Sequence, residues 1–126
     1  MGITTQSISL TIASSAATST AFSFQGRRVI GVVTPGTWTA ADVSFEVEEP
    51  SGTYVKVVDR AGALYKLTGI ATGASELHLI GGDANQADIM ITGPGDGRVA
   101  STNTSSEANV NQGGARTVVV YLADMP

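Results

Sequence analysis

A chain of 126 residues with 42% apolar side chains can bury one core unaided, and its lack of cysteine excludes thiol catalysis, Cys-zinc sites and disulfide staples. Only 14% of residues are charged, and the net charge of -4 argues against nonspecific nucleic-acid binding, which needs clustered Lys and Arg. Gly, Ser, Thr and Ala make up the balance, a hydroxyl-rich surface suited to an all-β protein with many turns or to contact with other subunits.

In chain order, Ile8, Leu10 and Ile12 alternate with Ser7, Ser9 and Thr11, which predicts a first strand with one buried face. Ala13 to Thr18 reads as a loop, and Thr20 to Phe24 as a second strand with Phe22 and Phe24 on one side. Gln25-Gly26 turns the chain into Arg27–Thr34, a nearly continuous apolar run expected to be a central strand buried on both faces. Gly31 within it marks a bulge or close packing. Arg27-Arg28 is the one basic pair and reads as strand-end solvation. Pro35-Gly36 ends the strand, and Trp38, the only tryptophan, follows in a segment with room for one helical turn.

Val43, Phe45 and Val47 point one way while Ser44, Glu46 and Glu48 point the other, onto what is expected to be a solvated face. Turns at Pro50-Ser51-Gly52 and Arg60-Ala61-Gly62 divide this strand from Tyr54–Val58 and Leu64–Leu67. Strands are also expected at Glu76–Ile80, with Leu77 and Leu79 inward and His78 outward, and at Asp88–Thr92. Pro94-Gly95-Asp96-Gly97 is the strongest turn signal, after which Arg98–Ala100 reads as a short strand or loop entry. Ser101 to Ala115 is a long polar loop of the kind that is usually functional or mobile, and Arg116 to Leu122 closes with a β-branched strand.

Many short strands separated by turns predict a single all-β domain over residues 1–126, an antiparallel β-sandwich with jelly-roll-like connectivity. An immunoglobulin-like order is the alternative, weakened by the missing Cys…Trp…Cys pattern. Catalytic signals are few. His78 is the only histidine, so no two-His metal site can form, and the pair Glu46/Glu48 lies on a face where polar groups are expected anyway. Asp83, Asn85, Asp88 and Asp96 offer hard oxygens in Gly-rich segments, but the EF-hand spacing is not met, so no cofactor is expected and a structural calcium is the alternative. The opening residues lack the basic segment and apolar core of a secretory signal, and no run reaches the roughly 20 residues of a membrane span. The expectation is a protein made in a cytoplasm, with no membrane partner.

The run GRRVIGVVTPGTWTAADVSFEVEEPSGTYVKVVDRAGALYKL resembles a segment of small structural proteins of tailed bacteriophages. The matching positions are Pro35, Trp38 to Ala41, Phe45, Gly52 to Tyr54, and Val58-Asp59 with Gly62; the opening SISLTIASSAATSTAFSF and terminal RTVVVYL look like that family's first and last strands. Gly69 to Ala115 is not covered with the same clarity. The resemblance implies a non-enzymatic β-sandwich component of a virion, made in the host bacterial cytoplasm. It implies a capsid decoration (cement) protein, a head-fibre base or a tail-associated module, and it supplies no catalytic residues. The expected partners are the major capsid protein or other virion proteins, with symmetric self-association, a trimer included. Under this reading the loop from Ser101 to Ala115, with Asn103, Asn109 and Asn111, is expected to order against a neighbour. A carbohydrate- or receptor-binding module is the competing reading, with Trp38, Tyr54, Tyr65 and Tyr121 as stacking platforms.

Overall fold

The computed structural model describes residues 5–80 and 91–125. Among these residues nine strands run: β1 Thr5–Ile12, β2 Phe22–Ser23, β3 Arg27–Thr34, β4 Asp42–Glu48, β5 Tyr54–Lys56, β6 Lys66–Leu67, β7 Glu76–Leu79, β8 Asp96–Thr102 and β9 Arg116–Asp124. One sheet has the order β1-β9-β3-β7; the other has β2-β8-β4-β5, with β6 beside β5 on the same flank of β4. Every named pairing is antiparallel. First pairs with last, second with next to last, and so inward to the β4–β5/β6 turnaround. That is a hairpin rolled upon itself, the jelly-roll order. The immunoglobulin-like alternative has a different strand order and does not apply.

The inner faces carry the alternation seen in the sequence. Leu10, Ile12, Val118, Val120, Leu122, Val29 and Val32 from the first sheet meet Phe22, Phe24, Val43, Phe45, Val99 and Leu67 in one buried cluster. Gln25 and Gly26 both take positive φ (53° and 74°), and the Arg27 N–H donates to the Phe24 carbonyl at 2.9 Å, a tight turn that carries the chain from β2 in one sheet to β3 in the other. Gly31 does sit at a register shift between Val29 and Gly31 against β9. It also lies under β7, where a Cβ would come within 3.0 Å of the Leu77 side chain.

Four expectations are corrected. Strand β3 is buried along its inner face, while on the other side Gly31 is covered by β7 and Ile30 and Val33 are only half-buried. The segment after Pro35 makes a turn, with the Trp38 N–H donating to the Pro35 carbonyl at 3.2 Å, and no helix occurs among the described residues. Residues 96–102 form a seven-residue strand between β4 and β2 rather than a turn followed by a fragment. In β7 the two faces are exchanged: Leu77 and Leu79 are 54% and 62% exposed, while His78 pairs in register with fully buried Val32. The expected strand Asp88–Thr92 and loop Gly81–Gln86 lie largely outside the described residues; Ile91 bridges Val29.

Strand β8 is short of large side chains because the space is already filled. A Cβ on Gly97 would stand 2.5 Å from the Phe24 ring and 3.0 Å from Phe22, whose rings pack edge to face at 4.9 Å. Gly97→Ala should therefore lower unfolding stability by about 1–3 kcal/mol. Gly73→Ala, with open space around it, should change stability by less than about 0.5 kcal/mol. Urea denaturation of the two variants checks the contrast, and equal effects would contradict the packing described.

Candidate functional site

The outer face of the second sheet gathers a cluster of charged groups. Alternation puts Asp42, Ser44, Glu46 and Glu48 of β4 beside Thr102, Ala100 and Arg98 of β8 on one flank, and beside Lys66, Lys56 and Tyr54 on the other. This face is not solvated as its composition suggests. Asp42, Ser44 and Glu46 are buried, at 2%, 0% and 5% exposure. Arg98 meets Glu46 Oε1 through Nε at 2.7 Å and Nη2 at 2.6 Å, and Lys56 Nζ stands 4.0 Å from Oε2. The Ser44 and Thr102 hydroxyls share a hydrogen bond of 2.6 Å. Carboxylates held this way are matched by cations, as buried charge requires.

The cover over this face comes from the polar segment after β8. Lys66 Nζ pairs with Asp42 Oδ2 at 3.2 Å and donates to the carbonyls of Asn103, Thr104 and Ser106 at 3.1, 3.2 and 3.4 Å. The Asn103 side chain accepts from the Ser105 N–H and hydroxyl, both at 2.8 Å, closing an Asx turn. The Asn103 N–H donates to the Ala108 carbonyl at 2.8 Å, so the chain folds back as a small hairpin. Asn109 Oδ1 then receives Lys56 Nζ at 3.0 Å, and Asn111 is exposed. Asn103 and Asn109 thus use their side-chain oxygens in bonds to their own chain at the surface.

Gln112 anchors the end of this segment, at 1% exposure. Its Oε1 accepts from the Thr39 N–H at 2.8 Å and Arg116 Nε at 3.2 Å; its Nε2 donates to the Thr39 carbonyl at 3.2 Å and to Ser101 Oγ at 2.8 Å. Its backbone N–H donates to the Ala16 carbonyl and its carbonyl accepts from the Ser15 N–H, both at 2.9 Å. The long polar loop is therefore tied to its own chain at several points. Nothing in the sequence singles out this glutamine; only its side-chain inventory of two donors and an acceptor oxygen fits the place where four segments meet.

The aromatic residues considered as stacking platforms are mostly enclosed. Trp38 is 2% exposed and donates Nε1–H to the Ala41 carbonyl at 3.0 Å; Tyr65 is 3% exposed and stacks on Phe45 at 6.3 Å. Neither presents a ring face to solvent, which corrects their assignment as platforms. Tyr54 is half-buried with Arg98 over its ring at 4.1 Å from the centroid. Desolvation first, then the charges of Glu48 and Asp96, raise its phenol above the ordinary value of 10.0, while Arg98 opposes them. Beside it, Glu48, Glu49, Pro50, Gly52, Pro94 and Gly95 line an open groove of about 350 Å³.

The first sheet's outer face is different in kind. In register across it lie Leu77 and Leu79 of β7, Val33 and Gly31 of β3, Val119 and Tyr121 of β9, then Thr5, Ser7, Ser9 and Thr11 of β1. Apolar groups at one side give way to a row of hydroxyls at the other. Leu77 and Leu79 were expected in the core, so reading their alternation with the opposite polarity would have found this surface. At the sheet's end Arg27 reaches across three strands, pairing with Asp124 at 3.2 Å and contacting Gln6, so it does more than solvate a strand terminus.

Among the described residues no group of three or more His, Asp or Glu stands ready for a metal ion, and no helix is long and apolar enough to cross a membrane. Asp83, Asn85 and Asp88 lie outside the described residues; Asp96 opens β8. Comparison with family models, with curated proteins and with solved structures returns no match to this chain.

Gln112→Leu retains the volume but strands the Thr39 N–H and the Ser101 hydroxyl. It should cost about 2–4 kcal/mol in urea or thermal unfolding. Asn111→Leu, at an exposed neighbouring position, should stay within about 0.5 kcal/mol of the parent.

Proposed function

We propose that the chain is a non-enzymatic structural component of a bacteriophage virion, in the first place a capsid decoration (cement) protein bound to the major capsid protein. The observation that carries this reading is the outer face of the first sheet. It is broad and almost free of charge, with Leu77 and Leu79 more than half exposed. A contiguous apolar surface of this kind suits protein–protein contact. Repeated over many copies on a lattice, contacts of modest individual strength gain avidity. The charged groups of the second sheet's outer face, Glu46 with Arg98 and Asp42 with Lys66, are committed to one another. The likeness of the segment from Gly26 to Leu67 to phage structural proteins supports the same reading.

A second reading, a tail-associated or carbohydrate- and receptor-binding module, rests on the groove beside Tyr54. Glu48 and Glu49 there can accept hydrogen bonds from sugar hydroxyls. Trp38 and Tyr65 cannot contribute stacking to it from within the core.

Quantitative peptide mass spectrometry on purified particles separates these readings, using the tryptic peptide Leu67–Arg98 measured against the major capsid protein. A decoration protein should be present in stoichiometric amounts. A definite but low ratio would move the assignment to the tail or another low-copy position. Absence from particles, with the protein abundant in the lysate, would overturn the virion role.

A further inference from the structure

Sheet edges are where a β-sandwich can bind another strand, and the edges of this one are unequal. Strand β2 has two residues, β5 has three and ends in Lys56, and β7 has four and begins with Glu76. Strand β1 is different: eight residues, TQSISLTI, without a charge, a proline or a bulge, paired with β9 in unbroken register. Natural edges are usually blunted by those devices. Here they are missing.

The direction of the backbone groups follows from one bond pair. The Thr20 N–H donates to the Thr11 carbonyl at 2.9 Å and the Thr11 N–H donates to Thr20 Oγ1 at 3.2 Å, so Thr11 turns its backbone away from β9. By the period of two, Thr5, Ser7 and Ser9 do the same, while Gln6, Ile8 and Leu10 bond to β9. Beyond Thr20, no described residue pairs with this edge. The chain on either side of residues 81–90 is tied to the far side of the sheet, with the Ile80 N–H on the Ile30 carbonyl and the Val29 N–H on the Ile91 carbonyl. Thr5, Ser7 and Ser9 thus present three N–H and three C=O groups at strand spacing, and their side chains are exposed.

We propose that this edge pairs with the β1 edge of a second copy, antiparallel about a two-fold axis at Ser7, joining two four-stranded sheets into one of eight strands. Self-pairing is favoured over pairing with an unrelated strand because the edge is complementary to itself. Centring on Ser7 sets Thr5 against Ser9 of the partner copy and Ser7 against Ser7, which engages all three free residues in about six hydrogen bonds. Centring on Thr5 or Ser9 engages fewer. No like charges oppose each other, although each chain carries -4 overall. The rows Thr5, Ser7, Ser9 from the two copies become adjacent, where hydroxyl pairs across strands are favourable. On the inner face, half-buried Ile8 gains cover against Gln6 of the other copy. A two-fold edge pairing closes as a dimer, not as the trimer considered from sequence. It stands independently of the virion role, because its test is made on the isolated chain.

The absence of cysteine makes the test specific. In the Ser7-centred register the two Ser7 Cα atoms lie about 5.5 Å apart, within disulfide reach. The two Ser9 Cα atoms lie on the order of 14 Å apart, out of reach. Single variants Ser7→Cys and Ser9→Cys of the full chain are oxidised mildly at low concentration and run on non-reducing gels, and the parent is examined by sedimentation. The expected result is a parent dimer, a covalent dimer from Ser7→Cys, and almost none from Ser9→Cys. Ser7→Pro, which removes an N–H that β9 does not use, should weaken dimerisation by about tenfold or more with its circular dichroism unchanged. A parent that stays monomeric at about 100 μM, or equal cross-linking of the two cysteine variants, would overturn the proposal.

Discussion

The buried amide of Gln112 is the interaction on which one end of this sandwich depends. Four stretches of chain meet there: the loop after β1 at Ser15 and Ala16, the turn after β3 at Thr39, the end of β8 at Ser101, and the start of β9 at Arg116. Loops brought into a core carry backbone donors and acceptors that water can no longer satisfy, and each unmet group costs free energy. One primary amide supplies partners of both kinds. An apolar side chain would close the volume and leave the Thr39 peptide stranded. A carboxylate would lose both donated bonds and bury a charge.

The same logic of covered polar groups governs the second sheet. Its outer face reads as a solvated surface along β4, yet Asp42, Ser44 and Glu46 are buried, and Asp42 is joined through Lys66 to the hairpin that starts at Asn103. Lys66 reaches up to three carbonyls of that hairpin while holding Asp42. The cation therefore links the sheet to its cover. Losing either member of such a pair is more damaging than the pair's own net strength suggests, because the survivor is left buried and unmatched. This face is closed by its own chain. The first sheet is the more open one, apolar toward β7 and rich in hydroxyls toward β1.

The pattern of the sequence carries the sandwich, the bounds of β3, the bulge at Gly31 and the turnarounds at Gln25-Gly26 and Arg60–Gly62. Each follows from period-two alternation or from residues that favour a reversal. What stayed hidden has physical reasons. Strand β8 shows no alternation because Gly97 must make room for Phe22 and Phe24, and Ala100, Ser101 and Thr102 are covered on both sides. The alternation in β7 was visible, but alternation gives a phase and not a polarity. Its leucines turn outward over Gly31, against the rule that apolar groups go inside. The candidate contact residues were chosen by type, and type reveals neither burial nor internal bonding. Trp38 and Tyr65 fill the core, and Asn103 and Asn109 serve the hairpin. Gln112 had no local signature at all, since its side-chain partners are separated from it by up to 73 residues.

The most direct test of this account is amide hydrogen exchange on the isolated chain, resolved at the segment from Asn103 to Gln112. The N–H groups of Asn103, Val110 and Gln112 donate to Ala108, Ser101 and Ala16 carbonyls. If the fold itself orders the segment, Val110 and Gln112 should be protected to an extent approaching the adjacent strand β8, and Gln112→Leu should abolish that protection first. Exchange at Val110 and Gln112 as fast as in an unstructured peptide would contradict the account. The segment would then gain its order only from a bound partner.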